Sequence, residues 1–215
     1  MSVALTTFYP QILASLPKCP KVLVRDMIVL TAGEFCEKTL CWREIQTPYA
    51  IASGTRDYSF ANVPVGAVVF KVMSAELDGS PIDWETPENL DIWYPGWRNP
   101  SASFQTGGPQ AVTAIKPDAF MMVPKPTASG SLVLDVAYKP SKTATTLPDF
   151  LFQDYYEQIA CGVKARLQVM NDKPWTQLQE AAINAKVFSD SIIDASDRQQ
   201  QGFGRPRIRT RAQFL

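Results

Sequence analysis

The feature that most constrains this chain is where its helical periodicity lies. Apolar residues recur at helical spacing in 20–42 and again in 145–201. The segment 43–144 between them has prolines, glycines and short runs of β-branched or aromatic residues bounded by turn signals. We therefore expect an α+β protein: an antiparallel helical bundle built from 1–42 and 145–201, with a β domain inserted at 43–144.

The first long helix is predicted over 20–42. Pro20 suits the first helical position, where no backbone donor is required. One apolar stripe follows it: Val24, Met27, Ile28, Phe35 and Trp42. Gly33 lies inside this pattern and costs up to ~1 kcal/mol relative to alanine unless a neighbour packs closely there.

Two further helices are predicted on either side of the turn Asn171–Pro174. The first stripe is Phe152, Tyr156, Ile159, Val163, Leu167 and Met170. The second is Leu178, Ala181, Ala185, Phe188, Ile192 and Ala195. So short a turn predicts an antiparallel hairpin packed closely at the alanines, and leucine at position 185 is expected to overpack that seam.

The inserted segment contains strand-sized runs. In 132–138 the residues alternate, which puts Leu132, Leu134, Val136 and Tyr138 on one buried face. We expect a small β-sandwich or barrel of roughly five to seven strands. A short helix is predicted after Thr86, because threonine caps helix starts and Pro87 follows it.

The composition argues against most catalytic chemistry. The chain has no histidine, which excludes Ser-His-Asp and Cys-His mechanisms. Its cysteines (Cys19, Cys36, Cys41 and Cys161) lack the CxxC spacing of zinc sites. We expect free buried thiols, no metal, no cofactor, no catalytic residues and no enzymatic activity.

The last residues, "GFGRPRIRTRAQFL" at 202–215, form the most distinctive segment. Without its four arginines the remaining chain has 17 basic and 21 acidic residues, an acidic body with a basic tail. Such a body argues against a protein that wraps DNA. No signal peptide is visible at the N-terminus, and no stretch approaches the apolar length of a membrane span.

In an extended conformation the tail has two different faces. Ile208, Thr210 and Ala212 share one face, with Phe214 and Leu215 as an apolar end. The other face carries Arg205, Arg207, Arg209 and Arg211. Three interpretations stay open: docking on a partner protein, weak contact with DNA phosphates, or a solvated tail without a partner.

Two clusters in the insertion suggest other functions. Aromatic residues such as Trp84, Trp93 and Trp97 could bind a sugar or a flat ligand, although in a strand-rich domain they are more often core or interface residues. Glu85, Glu88 and Asp91 are spaced like candidate glycosidase carboxylates, although acidic residues are also typical of a first helical turn.

Several segments, in order, carry a family resemblance. "LPKCPKVLVRDMIVLTAGEFCEKTLCWRE" (16–44) and "TTLPDFLFQDYYEQIACGVKARLQVMNDKPW" (145–175) resemble the two long helices of head-to-tail connector (adaptor) proteins of tailed bacteriophages. In the insertion, "LDGSPID" and "NLDIWYPGW" are also similar. The order of helix, β insertion, helical hairpin and extended tail matches throughout, most closely the adaptors of short-tailed phages.

The resemblance implies a structural virion protein in the head-tail neck, assembled in the host cytoplasm. Such adaptors form a ring, dodecameric on the virion, beneath the portal protein. The ring extends the channel through which genomic DNA passes without specific binding, and it is a platform for the tail nozzle or hub. On this basis Arg205, Arg207, Ile208, Arg209, Arg211, Phe214 and Leu215 form a portal-binding arm, and Trp84, Trp93 and Trp97 are tail-facing or interface aromatics. A stopper or another tail-completion protein is the alternative.

Overall fold

The structure is a computed structural model that describes residues 2–99 and 106–202. Its α-helices are α1 Tyr9–Leu13, α2 Lys21–Thr39, α3 Pro87–Trp93, α4 Asp149–Gln168 and α5 Leu178–Gln201. Its strands are β1 Ser2–Ala4, β2 Arg43–Ile45, β3 Tyr49–Ile51, β4 Asp57–Ser59, β5 Ala67–Leu77, β6 Ser80–Trp84, β7 Thr106–Gly107, β8 Ala111–Lys116, β9 Ala119–Val123, β10 Lys125–Pro126, β11 Gly130–Pro140 and β12 Thr146–Pro148. The mixed α+β class is confirmed.

The described chain divides into two compact units. The helical unit contains the residues up to Cys41 and those from Thr145 onward, and it includes α1, α2, α4, α5 and the short pair β1–β12. The β unit contains Trp42–Ala144, with α3 and the remaining strands.

Helix α2 ends three residues before the predicted boundary. Leu40 adopts the left-handed conformation, with φ 54° and ψ 28°, which stops the helix. The Thr39 hydroxyl donates to the Phe35 carbonyl at 2.7 Å and accepts from the Cys41 amide at 3.3 Å. Trp42 therefore lies beyond the helix, and its place in the predicted helical stripe is wrong.

Helix α4 is kinked at Tyr155, where φ is −132° and ψ is 18°. C-terminal to the kink, Ile159 and Val163 are buried as predicted. Around the kink, Leu151 and Tyr155 are buried, whereas Phe152 and Tyr156 of the predicted stripe are only half-buried. These two rings contact Phe8, with centroids 5.3 and 5.4 Å away. The kink turns the first part of the helix, so a single stripe does not describe its buried face.

The buried face of α5 differs from the predicted stripe. Ala181, Phe188 and Ala195 are buried, but Ala185 is exposed. The seam continues instead through Asn184, whose amide donates to Gln168 Oε1 at 2.9 Å, and through half-buried Ser191. The expectation that leucine at position 185 overpacks a seam is therefore wrong.

Helices α4 and α5 run antiparallel. Gln168 at the end of α4 meets Asn184 near the start of α5, while Tyr155 early in α4 interacts with Arg198 near the end of α5. Helix α2 joins them through Phe35, whose ring centroid lies 4.8 Å from that of Tyr155 and 6.1 Å from that of Phe188. The three long helices thus share one hydrophobic core.

The β unit contains one eight-stranded sheet in the order β2-β11-β5-β6-β8-β9-β4, with β3 also paired to β11. The sheet curls into a half-barrel, rather than forming the two packed layers of a sandwich. Its pairings are antiparallel except for β6–β8, which is parallel. The four residues of β11 that were predicted to be buried are fully buried: Leu132, Leu134, Val136 and Tyr138. The alternation breaks at Ala137, which is also fully buried and lies at a register shift in the pairing with β5.

An aromatic cluster surrounds Phe120 of β9 in the eight-stranded sheet. The rings of Tyr49, Tyr58 and Phe60 lie 5.3, 5.6 and 5.2 Å from it. Buried Gln46 lies near this cluster; it donates to the Tyr138 hydroxyl at 2.6 Å and accepts from the Tyr49 hydroxyl at 2.7 Å. Strands far apart in the sheet order are therefore held together by side chains.

Candidate interaction surfaces

The predicted arm begins where α5 ends. Gly202 follows the helix with a φ of 68°, a value that favours glycine, and a Cβ added there would meet nothing within 4 Å. The arm residues of the sequence analysis lie outside the described residues: Arg205, Arg207, Ile208, Arg209, Arg211, Phe214 and Leu215.

The three tryptophans of the insertion have very different environments. Trp97 is 1% exposed, its indole donates to Asp91 Oδ1 at 2.8 Å, and it packs in a core with Leu90. Trp84 is half-buried in β6. Trp93 is 71% exposed. Because only one of the three presents most of its ring, the set does not form an aromatic platform for a flat ligand.

Trp93 is exposed because of how α3 is anchored. The Thr86 side chain accepts a hydrogen bond from the Asn89 amide at 3.3 Å, as the predicted cap requires. Leu90 points into the core, which leaves Ile92 and Trp93 outside, each 71% exposed. We call these two residues the α3 patch. Large exposed apolar side chains, tryptophan above all, are enriched where proteins bind each other.

Two of the three candidate carboxylates, Glu85 and Asp91, have structural partners. Glu85 accepts from the Asn89 side chain at 2.7 Å. Hydrogen bonds from Arg98 and Trp97 hold the pKa of Asp91 below its ordinary value. A glycosidase acid needs a raised pKa, so Asp91 does not fit that role. Over residues 2–99 and 106–202, no group of three His, Cys, Asp or Glu side chains is placed to hold a metal ion.

Three of the four thiols are poor nucleophiles. A hydrogen bond with Cys41, together with burial, raises the pKa of Cys36 well above 9.0. Burial also raises the pKa of Cys19 and of Cys161. Protonated, largely buried thiols are unreactive at neutral pH, so these cysteines contribute packing.

Sequence reasoning missed one surface, the exposed side of α5. Apolar Ile183 and Ile193 are 59% and 58% exposed there, and Val187 is 45% exposed. We define the outer face of α5 by its exposed residues Glu180, Ile183, Val187, Asp190, Ile193, Asp194 and Asp197. The predicted alanine stripe lies on the opposite side of the helix. The spacing of Ile183 and Val187, four residues apart, is the sequence signal for this second apolar face.

A comparison with protein-family models identifies the kind of protein to which these features belong. The model of the SU10 adaptor protein family matches residues 12–209, which include both long helical segments and the whole insertion. The chain belongs to the SU10 adaptor protein family. None of the curated proteins matches it.

Family membership gives the general function. The chain is a bacteriophage adaptor, a structural component of the neck or tail and hence of the virion. This agrees with the resemblance seen in the helical segments. Among the helices of the described residues, none has the length and apolarity needed to cross a membrane.

Proposed function

We propose that the protein is the head-to-tail adaptor of a short-tailed phage and forms a ring beneath the portal. In this role it extends the DNA channel and provides the platform on which the tail nozzle or hub assembles. The observation that carries the proposal is the family match over residues 12–209. The order of helix, β insertion, helical hairpin and basic tail supports it.

We assign portal binding to the arm, residues 203–215. An extended segment with arginines on one face and apolar residues on the other suits a groove or a sheet edge on another protein. Its guanidinium groups can pair with carboxylates or backbone carbonyls, and Ile208 and Phe214 supply apolar contact. The arm follows Gly202, whose positive φ of 68° is a conformation that favours glycine.

The helical core is the proposed body of the ring. We propose that α2, α4 and α5 act as a helical bundle with the segment 43–144 as an inserted domain. The acidic balance of the body suits a channel, because a basic wall would bind phosphates and retard the DNA.

The α3 patch is the proposed contact for the next tail protein. Ile92 and Trp93 are exposed side by side on a helix that is fixed to the β unit through Leu90. A rigid support holds an aromatic anchor in place at low entropic cost, which suits a binding hot spot.

The arm can be tested with purified portal protein. Deletion of 203–215 is expected to abolish co-sedimentation with portal particles, while far-UV circular dichroism stays unchanged. Alanine at all four arginines is expected to weaken binding and leave residual affinity from the apolar residues. Trp93→Ser is the matched control, because it removes an exposed apolar group elsewhere and leaves portal binding intact.

The outcomes separate the proposal from its alternatives. Full binding by the deletion variant would show that the arm is not the portal contact. A tail that protects DNA and ignores portal particles would identify a DNA-binding segment, with the steep salt dependence of phosphate contacts. Binding to tail proteins alone would identify a stopper or tail-completion protein.

A further inference from the structure

The outer face of α5 is an unusual helix surface. It carries Ile183, Val187 and Ile193, each between 45% and 59% exposed. The same face carries four acidic residues, Glu180, Asp190, Asp194 and Asp197. One lysine, Lys186, lies on this face as well, so its charge is predominantly negative. Single exposed apolar residues are common, but several on one helix face together with an excess of one charge are typical of a docking surface.

The acidic residues of this face outnumber the cations of the same helix. Among the described residues, no ion pair reaches the side chains of Asp190, Asp194 or Asp197. Like charges at i,i+4 destabilise a helix by roughly 0.2–0.5 kcal/mol, and Asp190 and Asp194 have that spacing. Two cations of the same helix, Lys186 and Arg198, lie four residues from Asp190 and Asp194, so the four acids still leave a negative balance of two charges. The face therefore favours a basic partner.

We propose that the outer face of α5 is the docking site for the arm of the same chain, residues 203–215, before the portal is met. The chemistry of the two surfaces matches. The arm has four arginines and the apolar residues Ile208 and Phe214; the face has four acids and three apolar side chains. Charge and apolar contact are thus complementary on both sides.

The length and position of the arm fit this site. From Gln201 back to Ile183 the helix spans ~27 Å at 1.5 Å per residue. Thirteen extended residues reach ~43 Å, so the arm can cover the face even after a reversal of direction. Gly202 and Gly204 stand where that reversal is needed, and Gly202 already has a positive φ. Attachment to the same helix also gives the arm a high effective concentration at the face.

Docking on α5 covers the arm until a site of higher affinity, on the portal protein, competes for it. Portal binding would then release the arm from α5, a consequence that rests on the proposed function. The contact on α5 itself concerns the free protein alone.

Trypsin cleavage of the full-length free protein tests the contact directly. Cleavage after Arg207, Arg209 and Arg211 requires the arm to leave any surface on which it is docked. Asp190→Asn together with Asp194→Asn is expected to accelerate arm cleavage about fivefold, the size expected from the loss of two exposed ion pairs. Asp26→Asn with Asp154→Asn, on the other two long helices, is the matched control and is expected to match the wild type.

Two further conditions complete the test. High salt is expected to abolish the protection, because exposed ion pairs are screened. Protection is also expected to be independent of protein concentration. Equal cleavage of all variants would overturn the proposal, and so would protection that rises with concentration, which would place the arm on a second copy. No portal is present, so these results are independent of whether the arm binds the portal.

Discussion

At the residue scale, two glycines inside helices have opposite environments. Gly33 in α2 has nothing within 4 Å of the position that a Cβ would occupy. At Gly162 in α4, a Cβ would lie 2.5 Å from Thr31 Cγ2 and 2.8 Å from Phe188 Cδ2. Both neighbours are stiff, a β-branched side chain and a buried ring, so they cannot yield easily. At Gly162, side chains of both α2 and α5 therefore pack directly against the backbone of α4.

This contrast predicts opposite effects of one substitution. Gly33→Ala is expected to raise the free energy of unfolding by up to ~1 kcal/mol, through helix propensity alone. Gly162→Ala is expected to lower it by ~1–3 kcal/mol despite the same gain in propensity, because the methyl group overpacks the core. Urea unfolding followed by circular dichroism measures both. A stabilised Gly162→Ala variant would mean that the helices do not meet at this residue.

At the element scale, the α4–α5 seam determines which alanines matter. Ala181 is 2% exposed and Phe188 is 8% exposed, seven residues apart, with half-buried Asn184 between them. Ala185, one residue further along, is exposed. A hydrogen bond from Asn184 to Gln168 fixes this register with a polar group.

Substitution of leucine at Ala181 and at Ala185, in separate variants, distinguishes the observed packing of α4 against α5 from the packing that the apolar spacing predicts. Ala181→Leu is expected to lower the free energy of unfolding by ~1–3 kcal/mol. Ala185→Leu is expected to change it by less than ~0.5 kcal/mol, as is usual for surface substitutions. Thermal unfolding of the two variants side by side is the measurement. A larger loss of stability for Ala185→Leu than for Ala181→Leu would mean that α4 and α5 pack through Ala185, as the apolar spacing predicts.

The sequence predicted the long helices and strand β11 more accurately than it predicted which residues of each helix are buried. Periodicity located α2, α4 and α5, and the alternation of residue types identified four buried residues of β11, because each pattern repeats over many residues. It could not locate the kink at Tyr155, which changes the buried face within one helix. It also passed over Asn184, since a polar seam residue carries no apolar signal.

The candidate surfaces were predicted unevenly for a similar reason. The aromatic content of the insertion identified Trp84, Trp93 and Trp97 as a group, but composition does not indicate which of these side chains is buried. Trp97 donates a hydrogen bond to Asp91 and is buried in the core of the β unit. Trp93 follows the buried Leu90 on α3 and is exposed to solvent. Only the three-dimensional structure separates the two.

At the scale of the whole molecule, the proposed work is divided between two units. In the proposal, the helical unit provides the arm and the body of the ring, and the β unit, which contains the exposed α3 patch, contacts the next tail protein. An adaptor needs separate surfaces for the protein above and the protein below, because both must be bound at once. The net charge is divided as well, between an acidic body and a basic arm.

Electron microscopy of portal particles mixed with the purified protein tests the central claim most directly. The account predicts a closed ring of adaptor subunits on one end of the portal, coaxial with its channel, for the full-length chain. It predicts bare portals for the chain that lacks 203–215. A full-length chain that leaves portals bare, or rings that form equally well without the arm, would contradict the account.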